Sequence, residues 1–523
     1  MKSREYNYFP ELSKATRGLA SIQRELALVV IVLVCFLLII NSSWKASPDS
    51  ALYLELGESL AHGSGYKFNG EQHTYVPPGY PFFIAMTVKL FGSSFFAYRV
   101  MMSLLGILTA FLGYILIYRL VGRDLAFLIG GLFAINNTLL LNSTFTTSDT
   151  LFTLLGLVGL ILVSSNSGST RPIQYLAAAV LTGAPALVRI NGWGLPISTG
   201  LFLFSSWKKQ ALTKRITLAL FFVLVAFAVP CVWEIHKMGY PDSYNEGQYI
   251  QAVTGRTLGT QVSIIVRAAW DYIPETATAL AGVSIKTGLI EIFIVCLVLI
   301  GFCVSWKRGE RLFTYLTVVQ FGGLMLSPAG NRYILLLIPG LLLFLFQGVV
   351  ITLNWLQNGI LDKWREKLSS TRVVLGVFLI LFATNLGQDV VTISEARFAI
   401  EPEGAESVRD KPFFVAARWL KEYAAGQPVL TMNPRIIRYL TGLPTVELLR
   451  SGAPEEAAWP ETRDQITRLI DQRKPGFLFL DNKDPRLKKL ILEAADSNHS
   501  DVDPIPEASF GNRYNVARLC PRR

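Results

Sequence analysis

Two aspartates and three arginines sit at the edges of apolar runs, where an ionisable side chain calls for a functional explanation. Asp49 lies in "SPDS" and Asp149 in "FTTSDTLFTLLG". Arg99 lies in "AYRVMMSLLG", Arg189 in "ALVRINGWG", and Arg332, followed by Tyr333, in "PAGNRYILLLIP". A carboxylate in such a place can take a proton from a hydroxyl. A guanidinium can grip a phosphate through two oxygens at once. Plainer duties compete. Asp49 is either a base or a solvated loop residue, or it caps the helix "SALYLELGESLAHG". Thr147, Ser148 and Asp149 can cap the helix that follows them. The arginines either bind an anion, such as a lipid phosphate, or snorkel to headgroups.

A third feature is "HTYVPPGYPFF", where Pro77, Pro78 and Pro81 stiffen a loop and Gly79 permits a tight turn beside Tyr75, Tyr80 and Phe82. Aromatic rings here either anchor the chain at the membrane interface or stack on sugars or isoprenoid chains. A stiff loop lowers the ordering cost of a binding site.

These residues must be held by a polytopic α-helical membrane protein. Of 523 residues, 51% are apolar and only 17% are charged, against about a quarter charged in soluble domains. Apolar runs of membrane length recur. About eleven spans are expected, near 26–43, 95–118, 124–142, 149–164, 173–189, 193–207, 215–234, 286–305, 312–327, 332–353 and 373–390. The net charge of +11 is then explained by cytoplasmic Lys and Arg, not by nucleic acid. With the N-terminus inside, every inner connection carries Lys or Arg and the 143–148 connection carries none. Segment 1–25 is then cytoplasmic, and 26–390 forms the membrane domain with large outer loops at 44–94 and 237–285. Residues 391–523, more polar and alternating between helical and strand patterns, form a small extracytoplasmic α/β domain. The first apolar run lacks a small-x-small cleavage site and is expected to stay as an anchor.

Some chemistries find no motif. The chain has no G-x-G-x-x-G or Walker pattern. Its five cysteines have no CxxC spacing, and four of them lie in or beside apolar runs, so no structural disulfide is expected. Its four histidines have no zinc spacing, which leaves at most a carboxylate-bound divalent cation.

In order along the chain, Asp49, "ALYLELGESLAHGSGY", "PPGYPFF", Arg99, "SDTLF" and "RYILLLIP" resemble the family 39-type membrane glycosyltransferases. These are the dolichyl-phosphate-mannose mannosyltransferases and aminoarabinose-transferase relatives, with the C-type glycosyltransferase superfold. The resemblance runs over residues 25 to 350. It implies an enzyme of a bacterial plasma membrane that moves a sugar from a polyprenyl phosphate to an acceptor hydroxyl of a glycan, lipid or protein. Transfer would occur at the outer face, with inversion. Asp49 matches the first-loop acidic residue, the acceptor's base, and Asp149 the second acidic position. Arg99 matches the arginine that opens the second span, and Arg332 with Tyr333 the late pair assigned to the donor phosphate. Arg189 is assigned there on its position alone. The chain departs from the family in having Ser50 where many members carry a second acidic residue. It also has Tyr75-Val76 where the aminoarabinose branch has Glu-Lys, which argues against lipid A modification. A polymerase or ligase using a polyprenyl diphosphate, a lipid or solute transporter, and an inactive homologue are the rival readings.

Overall fold

The computed structural model describes residues 16, 18–166, 172–208, 210–240, 258–284, 288–325, 329–358, 370–398, 411–431, 433–447, 470, 474–481, 489, 493, 500–510 and 514–521. Each of the eleven expected spans meets an apolar helix, but the helices differ in length. Five are long and apolar enough to cross a membrane: Phe95–Val121, Leu212–Met238, Leu289–Arg308, Asn331–Gln357 and Ser370–Arg397. A sixth is a pair, Arg123–Ala134 and Asn137–Ser143, bent by 41°. Two of the shorter ones are set off by local breaks. Helix Pro172–Gly183 gives way to a 3-10 turn, Ala184–Leu187, at Pro185, where proline removes a backbone donor. After Arg189 a second 3-10 turn, Ile190–Trp193, leads into helix Gly194–Ser206.

The bend at Asn136 is built from polar side chains. Asn136 accepts from the Thr138 N–H and donates to the Ala279 carbonyl at 2.7 Å. Asn137 donates to Asp389 at 3.0 Å and to Thr392 at 2.9 Å. These bonds satisfy backbone and side-chain groups that a bent membrane helix would otherwise leave bare. They also set the direction of the chain that runs on to Asp149.

Helix Ile338–Asn358, entered through the 3-10 turn Asn331–Leu337, is apolar all round and runs through the centre of the bundle, with 94% of its membrane-length window buried. A helix without a polar face belongs inside. Its entry turn carries Arg332 and Tyr333.

The connection at 44–94 is well ordered. It holds helix Pro48–Ala61, a hairpin of β1 (Lys67–Phe68) and β2 (Glu71–Gln72), and helix Gly79–Phe91. The region at 237–285 is largely helical where described: helix Leu212–Met238 runs into it, and helix Leu258–Ala281 occupies its second half.

The C-terminal region is a small α/β unit with a five-stranded mixed sheet ordered β4-β3-β5-β7-β6. The strands are β3 Val429–Thr431, β4 Thr445–Glu447, β5 Phe477–Asp481, β6 Ser500–Phe510 and β7 Tyr514–Pro521. β3 pairs in parallel with β4 and β5, and the remaining pairs are antiparallel. The amphipathic segment expected at "KPFFVAARWLKEYAAG" is helix Lys411–Tyr423, which buries Phe413, Phe414, Ala416, Ala417 and Leu420. The helices expected in "ITRLIDQRK" and "DPRLKKLILEAA" lie almost wholly outside the described residues. Among the described residues Cys35, Cys231, Cys296 and Cys303 are free thiols.

Candidate active site

Asp49 sits in the first turn of helix Pro48–Ala61. The cap is Ser47, not the aspartate: Ser47 Oγ accepts from the Ser50 N–H at 3.1 Å, and Ser50 Oγ accepts from the Ser47 N–H at 3.0 Å. This reciprocal cap relieves Asp49 of the capping duty. Its Oδ2 lies 3.2 Å from Arg332 Nη2 and its Oδ1 lies 3.7 Å from Arg435 Nη1. The Asp49 side chain is 40% exposed, so a carboxylate held from two sides still faces outward.

Asp149 begins helix Asp149–Asn166. Neither it nor Ser148 spends its side chain on the helix terminus. Arg189 donates to Asp149 Oδ1 at 2.5 Å and to Ser148 Oγ at 3.2 Å, and Ser148 Oγ also lies 3.1 Å from Tyr53 Oη. The Asp149 side chain is 2% exposed, and its Oδ2 has no hydrogen-bond partner.

Arg189 is the crest between the two 3-10 turns. Its N–H donates to the Pro185 carbonyl at 2.9 Å. The tight reversal requires Gly192, because a Cβ there would fall 2.3 Å from the Ala186 nitrogen. The guanidinium lies 5.0 Å from the centre of the Tyr333 ring, and that of Arg332 lies 4.9 Å from it. One aromatic ring thus separates two cations by favourable contacts with both. Arg332 also donates to Tyr333 Oη at 2.9 Å. The two carboxylates and their arginines therefore form one continuous cluster.

The proline loop supports this cluster from beneath. Tyr66 Oη donates to the carbonyls of Val76 at 2.9 Å and Pro77 at 3.3 Å. The Val76 N–H donates to His73 Nε2 at 3.2 Å. Burial, aided by the nearby Arg435 charge, depresses His73 to about 3, so its ring is neutral. Gly79 passes so close to the Arg189 turn that a Cβ would stand 2.6 Å from the Leu187 carbonyl oxygen. Pro78 precedes it as the residue that leads into helix Gly79–Phe91. Tyr75 packs with Leu187 around a small apolar cluster of Leu52, Leu56, Tyr66, Val76 and Trp233. Tyr80 is fully buried, edge-on to Tyr53 at 4.9 Å, with its hydroxyl on Met102 Sδ at 3.3 Å. Tyr80 thus packs under the site and turns its hydroxyl away from it. Burial, with the charge of Asp49, raises Tyr53 to about 12, so its hydroxyl stays protonated.

Arg99 is not brought to the cluster. It is buried and donates to the backbone carbonyls of Ser43, at 3.0 Å, and Thr144. It ties the end of the first apolar segment, at Ser43, to the turn before Asp149, so its donors hold protein backbone.

Reasoning from sequence missed three residues. Tyr53 lies one helical turn after Asp49, a spacing that places both on one face. Ser148, a capping candidate by position, instead bonds Tyr53 and Arg189. Arg435 is delivered by helix Pro434–Thr441 of the C-terminal region. That helix is seated on helix Pro48–Ala61 by Arg438 to Glu55 at 3.0 Å and Tyr439 to Glu58 at 2.9 Å.

A divalent cation fits this donor set poorly. Both carboxylates are already engaged by arginines, and among the described residues no three His, Cys, Asp or Glu side chains gather as a ligand set.

Residues 75–233 match the family model described as dolichyl-phosphate-mannose-protein mannosyltransferase. No curated protein matches the chain significantly. The fold, over nearly the whole chain, is shared with solved structures. ArnT from Cupriavidus metallidurans bound to undecaprenyl phosphate aligns with TM-score 0.59 at 14% identity, covering 95% of this chain and 98% of that one. The Archaeoglobus fulgidus oligosaccharyltransferase tethered to an acceptor peptide with the NVT sequon aligns with TM-score 0.54 at 11% identity, covering 95% and 74%. The same organism's AglB, in complex with an inhibitory peptide and a dolichol-phosphate, aligns with TM-score 0.53 at 10% identity, covering 95% and 74%. The chain thus has the C-type glycosyltransferase fold expected from its sequence and is integral to a membrane.

Proposed function

We propose that this chain is a membrane glycosyltransferase that moves a sugar from a polyprenyl phosphate to an acceptor hydroxyl at the extracytoplasmic face, with inversion. The observation that carries this reading is Asp49 held between Arg332 and Arg435, next to the Asp149–Arg189 pair. A partly exposed carboxylate lies within one cluster of phosphate-suited cations. Fold likeness to proteins solved with undecaprenyl phosphate and dolichol-phosphate supports the donor class.

The chemistry follows from the arrangement. The acceptor oxygen attacks the anomeric carbon from the face opposite the phosphate, and its proton passes to an oxygen of Asp49. The new glycosidic C–O bond forms as the bond from carbon to phosphate oxygen breaks. The electron pair leaves with the polyprenyl phosphate, whose growing charge faces Arg332 and Arg189. Fixed cations in a partly desolvated site stabilise such charge strongly. The departing phosphate is a stable anion, so one base suffices. Asp149, buried on Arg189, orients that arginine.

The outer-face assignment is supported by agreement between charge and contact. Asp49, Asp149, Arg189 and Arg332 lie at span ends that the Lys and Arg distribution assigns outside. The bacterial plasma membrane belongs to the same proposal, and so do the domain limits 1–25, 26–390 and 391–523.

The test is transfer from a panel of radiolabelled polyprenyl-phosphate sugars, using membranes that carry the wild type or Asp49→Asn. Incorporation that disappears in the variant at equal protein level supports the reading and names the sugar. Equal incorporation removes Asp49 as the base. Incorporation only from polyprenyl-diphosphate donors replaces the reading with that of a polymerase or ligase.

A further inference from the structure

Tyr53 and Ser148 meet where the first connection touches the start of helix Asp149–Asn166, and their hydrogen bonds leave one proton over. The two hydroxyl oxygens lie 3.1 Å apart, so one of them donates to the other. Ser148 Oγ also accepts from Arg189 at 3.2 Å, and Arg189 donates at the same time to Asp149 Oδ1 at 2.5 Å. Two hydroxyls carry two protons. One is spent in the bond between them, and among the described residues the other has no acceptor. Even Asp149 Oδ2, close by, is without a partner. A simple tether between two helices needs only the first proton.

Burial decides which residue holds the spare proton. Ser148 is 0% exposed. With the spare proton on Ser148, its O–H would point into enclosed protein with nothing to receive it, which is costly. Tyr53 is half-buried. The order that avoids the cost runs from Arg189 to Ser148 and from Ser148 to Tyr53. It leaves the phenol O–H to donate outward. The charge of Arg189 polarises both hydroxyls and so strengthens the last donor. The phenol is fixed in place, because its ring stands edge-on to the fully buried Tyr80 at 4.9 Å. It shares one face of helix Pro48–Ala61 with Asp49, one turn away. Burial, with the charge of Asp49, holds the phenol at about 12, so Tyr53 donates a hydrogen bond and keeps its proton.

We propose that Tyr53 donates this hydrogen bond to the leaving phosphate. The inference rests on the polyprenyl-phosphate reading above and adds a neutral donor to the arginines named there. A donor polarised by a guanidinium is best matched by an anionic oxygen. In the intact donor the phosphate is a diester with one negative charge. When the bond from the anomeric carbon breaks, its electron pair stays on the phosphate oxygen, and the resulting monoester carries close to two negative charges at neutral pH. A fixed O–H at that oxygen therefore gains strength as the bond breaks. Tyr53 acts on the transition state and on the polyprenyl phosphate product more than on binding of the intact donor. The acceptor's proton goes to Asp49 as before.

The experiment titrates polyprenyl-phosphate sugars in transfer by the full-length protein in detergent. It is paired with binding of undecaprenyl phosphate and of dolichyl phosphate, read by intrinsic tryptophan fluorescence. The variants are Tyr53→Phe, Ser148→Ala and Ser148→Thr, each with its thermal unfolding midpoint. The expected result for Tyr53→Phe is kcat lowered by at least about tenfold, the scale of one hydrogen bond to a charged group, with donor KM changed by less than about threefold. The preferred lipid phosphate should bind about tenfold less tightly. Ser148→Ala should move both readouts the same way by less, and Ser148→Thr, which keeps the hydroxyl, should stay near wild type. If Tyr53→Phe fails to fold, 3-fluorotyrosine at position 53 carries the comparison. Its more acidic phenol should bind the lipid phosphate more tightly, and unchanged affinity there overturns the inference. Wild-type kcat and lipid-phosphate affinity in a folded Tyr53→Phe overturn it, even with a lower unfolding midpoint, since the pair is then only a tether. A rise in donor KM with kcat unchanged overturns it too, because that is uniform binding. Wild-type behaviour of a folded Ser148→Ala overturns the proton order on which it stands. A wild type that neither transfers from a polyprenyl-phosphate sugar nor binds either lipid phosphate brings down the donor reading and this inference together. A wild type that transfers while Tyr53→Phe transfers equally well brings down the inference alone.

Discussion

Arg189 Nη1 and Asp149 Oδ1 lie 2.5 Å apart, with the carboxylate side chain 2% exposed and the arginine 17% exposed. The pair joins the crest of one helical hairpin to the first turn of a neighbouring helix. Removing one member strands the other's charge in a poorly solvated place, which costs about 3–5 kcal/mol. Asp149→Asn and Arg189→Gln should each lower the thermal unfolding midpoint in detergent. Combining Asp149→Leu with Arg189→Met should restore much of it while activity stays lost. A double variant as unstable as the sum of the single ones would show that the two residues act independently.

Tyr333 makes two kinds of contact that substitution can separate. Its hydroxyl accepts from Arg332 at 2.9 Å, and its ring faces both Arg189 and Arg332. Tyr333→Phe keeps the ring and should cost about 1 kcal/mol of donor binding, roughly fivefold in KM. Tyr333→Leu loses both cation–π contacts, each about 0.5–2 kcal/mol, and should be clearly worse. If phenylalanine and leucine are equally poor, the ring contributes nothing.

The proline loop should loosen in acid. His73 is depressed to about 3, by burial first and by Arg435 second, against an ordinary value of 6.5. Its Nε2 must be bare to accept from the Val76 N–H. Between those two values the opened loop takes up a proton that the closed loop refuses. Closure is therefore favoured at neutral pH and weakens as pH falls from about 6.5 toward 3. Amide exchange at Val76, corrected for its intrinsic pH dependence, should speed up over that range in the wild type. The same pH trend in His73→Gln would point to another titrating group.

Gly79→Ala tests the seating of the loop on the Arg189 turn. The added Cβ would meet the Leu187 carbonyl oxygen at 2.6 Å and Val188 Cγ2 at 2.9 Å. Backbone has to yield there, at a cost of about 1–3 kcal/mol. We expect a lower unfolding midpoint and a loss of activity larger than for Gly387→Ala, a helical position where nothing stands within 4 Å of a new Cβ. Equal behaviour of the two variants would mean that the contact is soft.

The site was legible in the sequence to the extent that its members were anomalies. Asp49, Asp149, Arg189 and Arg332 stood out because a charge at the end of an apolar run is expensive. Arg99 stood out for the same reason, but the same cost is met by hydrogen bonds to the carbonyls of Ser43 and Thr144, and hydropathy cannot tell the two solutions apart. Arg435 was invisible because it lies in "NPRIIRYLTG", a polar stretch where arginine is ordinary. Span positions followed from apolar runs, whereas span lengths did not, since they depend on the breaks at Asn136 and Pro185. In the C-terminal region β6 escaped notice because Pro504 and Pro506 read as loop. β6 is the edge strand of its sheet, where proline is tolerated.

The seat of helix Pro434–Thr441 on helix Pro48–Ala61 bears on how the protein comes into being. Asp49 is made before most of the membrane helices, and Arg435 after all of the apolar helices among the described residues. The first connection therefore waits, exposed and without its Arg435 contact, while every membrane helix between them is inserted. A product that stops short of residue 435 can carry all the membrane helices and still lack one wall of the site. The cluster around Asp49 is then completed only when helix Pro434–Thr441 has been made and seated.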